Sequence, residues 1–257
     1  MRIAHISDIH CNLGTDFNEK IFEKAVKMVN NLDADLTFIS GDLTTDGLLS
    51  EYELAQKKVE EITSKKVIVP GNHDERNLGW KLFPEFFGDT DFIYENKDVS
   101  LVGLASSEPD KDSGHLGRGR HKKIEEGIKK GKTTIIGFHH HVIPVPNSGR
   151  ETNIIEDAGE TLNIILKNEV PLVLMGHRHV PWGVKIHKTL LVNAGTLSCN
   201  RTRAHFGNTF NIIEIDDDEI EVTVVNIRKE KKKKMIEFNL SDGCCDNKYY
   251  DSDMSIG

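Results

Sequence analysis

The sequence of 257 residues predicts an α/β fold with two sheets. In the first two thirds of the chain, short apolar runs alternate with amphipathic segments, which is typical of right-handed βαβ crossovers in a largely parallel sheet. From residue 183 onward, short strands follow one another without helices and predict a second, antiparallel sheet. The length suits one large domain, which we expect to span residues 1–228, and residues 229–257 are expected to form a charged and polar C-terminal extension that is partly ordered at best.

Apolar runs that end at a glycine or a polar cluster mark the predicted parallel strands, which are 2–7, 35–40, 67–69, 133–138 and 171–175. Between strands, apolar residues recur at three- and four-residue spacing, as from Asp16 to Leu32, and this spacing predicts amphipathic helices. Ser50 and Glu53 form a capping-box pattern that opens the second helix, which ends near Ile62. The other predicted helices are 78–87, 121–130 and 159–167.

A polar, glycine-containing stretch from Ser106 to Arg120 predicts a flexible loop, and the two strands 92–95 and 99–105 precede it as a hairpin-like pair. In the last third of the chain the predicted strands are 184–187, 190–193, 208–215 and 219–227. Asp216-Asp217-Asp218 joins the last two as a hairpin. The charged run from Arg228 to Lys234 predicts a solvated segment.

Charge and composition limit the partners. The 33 Lys and Arg residues against 41 Asp and Glu residues give a net charge of -8, which argues against a long nucleic acid or a membrane surface as the partner. No apolar run approaches the roughly 20 residues that span a bilayer, and the chain opens directly into a strand, so we expect a cytoplasmic protein. The four cysteines do not form a disulfide pattern, and we expect free thiols. The sequence leaves the oligomeric state open.

Polar side chains with metal-binding chemistry follow the ends of five predicted strands. The carboxyl ends of parallel strands open onto one crevice, so residues distant in the chain can converge there. Asp8 and His10, like His177 and His179, have a spacing of two, which places both side chains of an extended segment on one side. The candidate ligands are two carboxylates, four imidazoles and one amide oxygen: Asp8, His10, Asp42, Asn72, His139, His177 and His179.

Seven nitrogen and oxygen ligands are too many for one tetrahedral zinc and suit two metals that share a bridging carboxylate. Two divalent ions bring four positive charges, and two carboxylates with one hydroxide remove three, so the site remains cationic and suits an anion. Two metals about 3.5–4 Å apart are a general arrangement for the hydrolysis of phosphate esters. His73, which follows Asn72, then remains outside the metal set.

Five short motifs in a fixed order resemble the calcineurin-like metallophosphoesterase family. The motifs are Asp8-Ile9-His10, Gly41-Asp42, Gly71-Asn72-His73-Asp74, Gly137-Phe138-His139-His140 and Gly176-His177-Arg178-His179. The resemblance extends from Ile3 to about Ile227 and looks most like the branch of cyclic-nucleotide and glycerophosphodiester phosphodiesterases. It implies a four-layer α/β/β/α sandwich, in which two mixed sheets are flanked by helices. One departure is His141-Val142-Ile143-Pro144, where these relatives usually follow the paired histidines with prolines.

The resemblance also implies a role for each side chain. One metal is expected on Asp8, His10, Asp42 and His179, and the other on Asp42, Asn72, His139 and His177. Mn or Fe is favoured, and Zn, Co and Ni also suit these ligands. His73 is the expected catalytic group, which contacts the phosphate or protonates the leaving alkoxide. Asp74 is expected to orient His73 or to close the turn.

Four further side chains are candidates for substrate contacts. Arg118 and Arg120 lie beside glycines and could form a mobile lid that grips a phosphate, and a solvated basic loop is the alternative. His140 could line the cleft or orient His139. Arg201 follows the last metal loop closely enough to contact a phosphate.

The predicted function is hydrolysis of a small phosphodiester, which includes cyclic nucleotides, by attack of metal-bound hydroxide with assistance from His73. A phosphomonoesterase, a protein phosphatase or a nuclease could use the same metals, because the pocket sets the preference for the leaving group. A noncatalytic scaffold, like the retromer subunit that resembles this family, is expected to lack ligands or a motif histidine. In this sequence all seven ligand positions carry a residue that can bind a metal, and the motif histidine His73 is present.

Overall fold

The computed structural model describes residues 1–149 and 153–248. They form two mixed β-sheets that pack face to face with helices on their outer faces, so the predicted four-layer α/β/β/α sandwich is confirmed. No helix in this part of the chain is both long enough and apolar enough to cross a membrane.

The elements of the first half are β1 (Arg2–Ile6), α1 (Glu19–Asn30), β2 (Leu36–Ile39), α2 (Leu49–Glu60), β3 (Lys66–Ile68), α3 (Gly79–Phe87), β4 (Phe92–Glu95), β5 (Val99–Gly103) and α4 (Gly117–Gly127). The elements of the second half are β6 (Thr133–Gly137), α5 (Ala158–Lys167), β7 (Leu172–Met175), β8 (Trp182–Ile186), β9 (Thr189–Asn193), β10 (Thr209–Asp216), β11 (Glu219–Asn226), β12 (Lys231–Asn239) and β13 (Cys245–Asn247).

The first sheet has the strand order β13-β12-β11-β10-β1-β2-β3. β1, β2 and β3 are parallel, and β1, β10, β11, β12 and β13 are joined in that order by antiparallel pairs. The second sheet has the order β4-β5-β6-β7-β9-β8, in which only the edge strands β4 and β8 are antiparallel to their neighbours. Each sheet therefore contains a parallel group of strands whose carboxyl ends point the same way.

The expectation of one largely parallel sheet followed by an antiparallel one is wrong. Both sheets are mixed, as the family resemblance implied, and the C-terminal strands extend the sheet that the N-terminal strand begins. Buried parallel strands in either sheet read as the same apolar runs, so the sequence pattern does not show to which sheet a strand belongs.

Three apolar clusters hold the layers together. The central cluster lies between the sheets and includes Phe38, Leu174 and Ile213. One outer cluster, which includes Phe22, packs α1, α2 and α3 on the first sheet, and the other, which includes Ile165, packs α4 and α5 on the second. Full burial of such side chains contributes about 1.5–3 kcal/mol each. The packing thus fixes the two groups of strand ends relative to each other.

The cap of α2 lies two residues earlier than predicted. Its cap residue is Leu48, not Ser50. Glu51 closes this end of the helix, because its carboxylate accepts the backbone N–H of Leu48 at 3.5 Å. The same carboxylate accepts the N–H groups of Thr45 at 3.2 Å and Asp46 at 2.7 Å in the turn before the helix.

α4 also begins earlier than predicted, because Gly117-Arg118-Gly119-Arg120 belongs to the helix and not to the flexible loop. The Asp157 carboxylate accepts the backbone N–H groups of Leu116 at 3.1 Å and Gly117 at 2.7 Å. This external cap offsets the low helix propensity of the two glycines.

The C-terminal segment joins the first sheet. Part of the charged run that was predicted to be solvated forms the start of β12, which pairs with β11, and β13 pairs with β12. The first lysines of β12 are exposed, but Met235, Ile236 and Phe238 are buried in the central cluster. The predicted domain boundary at residue 228 therefore lies between two paired strands, and residues 249–257 of the predicted extension lie outside the described residues.

Candidate metal centre

The carboxyl ends of parallel strands from both sheets meet at one edge of the sandwich. Four of the predicted ligands follow strands of the first sheet: Asp8, His10, Asp42 and Asn72. Three follow β6 and β7 of the second sheet: His139, His177 and His179. His177 is half-buried and the other six are buried, so the structure brings the seven side chains into one enclosed cluster.

One half of the cluster contains Asp8, His10 and His179. The Nε2 atom of His179 lies 3.1 Å from Oδ1 of Asp8 and 3.1 Å from Nε2 of His10. The Nε2 atom of His10 lies 3.6 Å from Oδ2 of Asp42. These atoms therefore face a common point between the rings and the carboxylates.

The other half contains Asn72, His139 and His177. The Nε2 atom of His139 lies 3.2 Å from Oδ2 of Asp42 and 3.3 Å from Nδ1 of His177. The Nδ1 atom of His177 lies 3.0 Å from Oδ1 of Asn72. Asp42 Oδ2 thus lies between the two halves, where the family resemblance implies a bridging ligand.

Hydrogen bonds on the far sides of two rings fix which nitrogen faces the cluster. His139 Nδ1 donates to the Ser40 carbonyl at 2.6 Å, and His179 Nδ1 donates to the Arg201 carbonyl at 2.7 Å. In a neutral ring, each Nε2 then directs a lone pair at a carboxylate. Oδ1 of Asp8 is buried and has no hydrogen-bond donor among the described residues. Such facing lone pairs repel unless a cation or a proton lies between them, so this donor set fits divalent metal ions.

The charge states of two rings suit metal binding, whereas a third ring carries a proton. Burial holds the pKa of His10 and His177 well below the ordinary value, so both rings are neutral at pH 7. Burial would raise the pKa of Asp42, but the neighbouring imidazoles of His139 and His73 hold it well below its ordinary value. Burial also lowers the pKa of His139, and the Asp42 carboxylate overcomes this and raises it to about 9. A metal ion must therefore displace a proton from His139.

Backbone strain is concentrated at the ligands. Five of them have left-handed backbone conformations: Asp8 (φ 54°), His10 (φ 55°), Asp42 (φ 55°), His177 (φ 72°) and His179 (φ 55°). Non-glycine residues rarely adopt such angles, and those that do cluster at functional sites. The side chains converge through these tight turns and not through the extended geometry that the spacing of two predicted.

Two glycines let the ligand loops approach closely. A β-carbon at Gly71 would lie 2.1 Å from Oδ1 of Asp42, and one at Gly41 would lie 2.7 Å from Nδ1 of His139. Neither position can hold a side chain without displacing a predicted ligand.

His73 lies beside the cluster. Its backbone N–H donates to Oδ1 of Asp42 at 2.9 Å, and its ring Nδ1 donates to the Thr45 carbonyl at 2.5 Å. Asp74 has the supporting role, because its carboxylate accepts the N–H of Gly71 at 2.9 Å and that of Thr44 at 2.8 Å. Of the two roles expected for Asp74, the structure therefore shows closure of the turn, and Thr45 orients the His73 ring.

A cleft of about 430 Å³ opens over the cluster. Its lining contains six residues named from the sequence as ligands or as the catalytic group: His10, Asp42, Asn72, His73, His177 and His179. Arg201, a predicted substrate contact, also lines the cleft, and its Nε lies 3.5 Å from Oδ1 of Asp16. Arg76 and Asp112 line it as well, although no local sequence pattern marks them.

The structure does not bring the other three predicted substrate contacts to the cleft lining. Arg118 and Arg120 lie in the first turn of α4, so they do not form a lid loop, and Arg120 Nε donates to the Asp91 carboxylate at 2.9 Å. His140 is fully buried, and its Nδ1 accepts the hydroxyl of Ser106 at 2.8 Å. His140 therefore supports the fold around the site.

Comparisons with known proteins find one sequence family and several similar proteins. The sequence profile of the calcineurin-like phosphoesterase family matches residues 1–181. A protein of Ruthia magnifica subsp. Calyptogena magnifica named "probable cyclic nucleotide phosphodiesterase" is 24% identical over 218 residues, which cover 81% of this chain and 87% of that protein. An Arcobacter nitrofigilis protein named "probable glycerophosphodiester phosphodiesterase" is 28% identical over 200 residues, which cover 70% of this chain and 72% of that protein.

A solved structure shares the fold. The crystal structure of a dimetal phosphatase from Danio rerio superposes with a TM-score of 0.71 at 9% identity, and the match covers 91% of this chain and 98% of that one.

Proposed function

This chain belongs to the calcineurin-like phosphoesterase family, and we propose that it is a dinuclear-metal phosphodiesterase that hydrolyses a small phosphodiester. The observation that carries the proposal is the convergence of seven nitrogen and oxygen ligands on both sides of Asp42, beneath an open cleft. Two divalent ions bound there would activate a water nucleophile and neutralise charge on the phosphate. The names of the similar proteins favour a cyclic nucleotide as the substrate.

The two halves of the cluster support one set of proposed ligands for each ion. The first ion would be held by Asp8, His10, Asp42 and His179, and the second by Asp42, Asn72, His139 and His177. Imidazole nitrogen and carboxylate oxygen suit Mn and Fe as well as Zn, Co and Ni.

His73 would donate a proton to the leaving alcohol. Its Nδ1 is engaged by the Thr45 carbonyl, so Nε2 is the ring atom that can exchange a proton with a group in the cleft. Arg201, on the cleft lining, would contribute a guanidinium to bind the phosphate oxygens.

Hydrolysis of bis-p-nitrophenyl phosphate tests the proposal. We expect protein stripped of metal and resupplied with Mn²⁺ to release p-nitrophenol, and to do so faster than from p-nitrophenyl phosphate. Folded, Mn²⁺-loaded protein that releases none would overturn the proposal, and a preference for the monoester would make the protein a phosphomonoesterase. Product analysis after incubation with cyclic nucleotides then tests the narrower substrate class.

The role of His73 has a separate test. We expect His73→Ala to reduce turnover of the diester by about 10²–10⁴-fold and to leave the Mn²⁺ content near that of the unchanged protein. His187→Ala, which changes an exposed histidine in the turn between β8 and β9, is the matched control and should leave both quantities unchanged. Loss of bound Mn²⁺ from His73→Ala would instead place His73 among the ligands.

A further inference from the structure

The loop between β5 and α4 brings an acidic side chain to one of the proposed ligands. Oδ1 of Asp112 accepts a hydrogen bond from Nδ2 of Asn72 at 3.2 Å and another from Nη2 of Arg76 at 3.0 Å. Asp112 lies in the polar stretch that predicted only a flexible loop, outside every motif of the family resemblance. One carboxylate oxygen of Asp112 therefore links Asn72 to Arg76.

This contact decides which end of the Asn72 amide faces the cluster. A carboxylate only accepts hydrogen bonds, so it selects the NH₂ end of the amide. The oxygen end then points the other way, where Oδ1 of Asn72 lies 3.0 Å from Nδ1 of His177. Hard divalent cations bind the amide oxygen, so the orientation set by Asp112 is the one that a metal requires.

His140 holds the loop in place. Its Nε2 donates to the Asp112 carbonyl at 3.3 Å, while its Nδ1 accepts the hydroxyl of Ser106 at the start of the same loop. A β-carbon at Gly114 would lie 2.5 Å from Cγ of His140, so the loop backbone packs directly against this buried ring. The Asp112 side chain is 64% exposed, but its backbone is therefore anchored to the interior of the protein.

Arg76 continues the network to His73. Its Nη1 donates to the Thr45 carbonyl at 3.3 Å, which is the same oxygen that accepts Nδ1 of His73. The guanidinium is planar and donates from Nη1 and Nη2 at once, so it fixes the distance between Asp112 and Thr45. The network thus runs from the amide ligand to the carbonyl that orients the proposed proton donor.

We propose that Asp112 is a positioning residue that presents the Asn72 oxygen to the second metal, and that Arg76 couples this contact to the orientation of His73. The inference rests on the proposed function, because it requires Asn72 to be a metal ligand. Neither residue is assigned a direct contact with the reacting atoms.

Calorimetric titration of metal-free protein with Mn²⁺ tests the role of Asp112. We expect Asp112→Ala to weaken one of two Mn²⁺ sites by about 10–100-fold and to leave the other unchanged. Asn72→Ala should weaken the same site. Because Asp112 acts through Asn72, the double variant should bind Mn²⁺ no more weakly than Asn72→Ala alone.

Three results would count against this role. Two Mn²⁺ sites of unchanged affinity in Asp112→Ala would overturn it, and so would additive losses in the double variant. Glu108→Gln removes a carboxylate that pairs with Lys111 on the same loop. If this variant weakens Mn²⁺ binding as much as Asp112→Ala does, the effect comes from the general charge of the loop and not from the contact with Asn72. If the unchanged protein itself binds fewer than two Mn²⁺ ions, the proposed function fails, and the positioning role that rests on it fails with it.

The role of Arg76 is tested by steady-state kinetics. We expect Arg76→Gln to lower kcat by about 10-fold with little change in KM, and to weaken Mn²⁺ binding less than Asp112→Ala does. Arg120→Gln, which removes a guanidinium paired with Asp91 away from the cleft lining, is the matched control and should leave kcat unchanged. An unchanged kcat in Arg76→Gln would overturn the coupling to His73.

Discussion

Asp42 and Asp74 are buried carboxylates on neighbouring loops at one sheet edge, and their surroundings give them opposite charge preferences. Burial opposes ionisation of Asp42, but the imidazoles of His139 and His73 hold its pKa well below the ordinary value. Asp74 accepts hydrogen bonds only from neutral donors. Burial is the main cause that raises its pKa to about 7, and the nearby charge of Asp42 is the second cause. Equal burial therefore leaves an ionised, proposed ligand in one loop and a structural acceptor in the other.

The difference lies in the kind of partner. Three donors on two residues hydrogen-bond to Asp74, namely the N–H of Gly71 and the N–H and hydroxyl of Thr44, but none carries a charge. Glu75 follows the same rule, since it is 7% exposed and burial raises its pKa to about 7. Cationic or protonatable rings, and not hydrogen bonds alone, keep a buried carboxylate ionised here.

The largest effect is expected from Asp42→Asn. The amide removes the charge that both halves of the cluster share, so we expect turnover of the diester to fall to the rate without protein, together with loss of bound Mn²⁺. Metal analysis and p-nitrophenol release measure these two quantities. Asp74→Asn provides the comparison, and if it loses as much Mn²⁺ as Asp42→Asn, the proposed division between ligand and support is wrong.

The next effect is on stability. Asp74→Ala would leave the buried N–H groups of Gly71 and Thr44 without an acceptor, at a cost of about 1–3 kcal/mol each in the free energy of unfolding. Urea unfolding of the metal-free protein measures the loss. Asp89→Ala, at an exposed position, should change the free energy by much less, and equal losses would contradict a structural role for Asp74.

A smaller effect concerns pH. Between pH 4.5 and about 7 the native protein keeps a proton on Glu75 that the unfolded chain releases. The bound proton therefore stabilises the native protein fully below pH 4.5, and this stabilisation is lost as the pH rises through 7. Over that range the free energy of unfolding falls by at most about 1.4 kcal/mol per pH unit. We expect Glu75→Gln to flatten this dependence in urea unfolding of metal-free protein, whereas Glu53→Gln on the exposed side of α2 should leave it unchanged.

The smallest effect is expected from Tyr52→Phe. The Tyr52 hydroxyl donates to the Asp74 carbonyl at 2.7 Å from within α2, so its loss should lower the free energy of unfolding by about 1 kcal/mol. Thermal unfolding would detect the change. A loss of Mn²⁺ affinity in this variant would show that the supporting loop is less separate from the ligands than the comparison implies.

The sequence predicted the candidate site better than it predicted the sheets. Residues such as Asp8 and His139 were identified because each follows an apolar strand and occurs in a motif of fixed order. The strands themselves could not be divided between two sheets, because buried parallel strands share one apolar pattern. β12 was missed because its exposed lysines obscure the apolar residues that follow them.

Contacts across the fold were beyond sequence reasoning. Asp112 lies 40 positions from Asn72, and only the packing of its loop on His140 brings the two together. α4 was placed too late because its cap, Asp157, also comes from a distant part of the chain. Local patterns thus reveal residues that act in motifs, whereas residues that act through a partner require the tertiary structure.

The proposed ligands are divided between the two sheets, and this division implies that the sheets dock before metal ions bind. Asp42 belongs to the first sheet and His139 to the second, and neither sheet alone carries a complete ligand set for either ion. With the proposed ligand sets, tight capture of metal would follow docking of the two sheets. Ions that bind only the docked form stabilise it in proportion to their free concentration. The supply of metal in the cell would then govern how long the folded chain survives, as well as how fast it works.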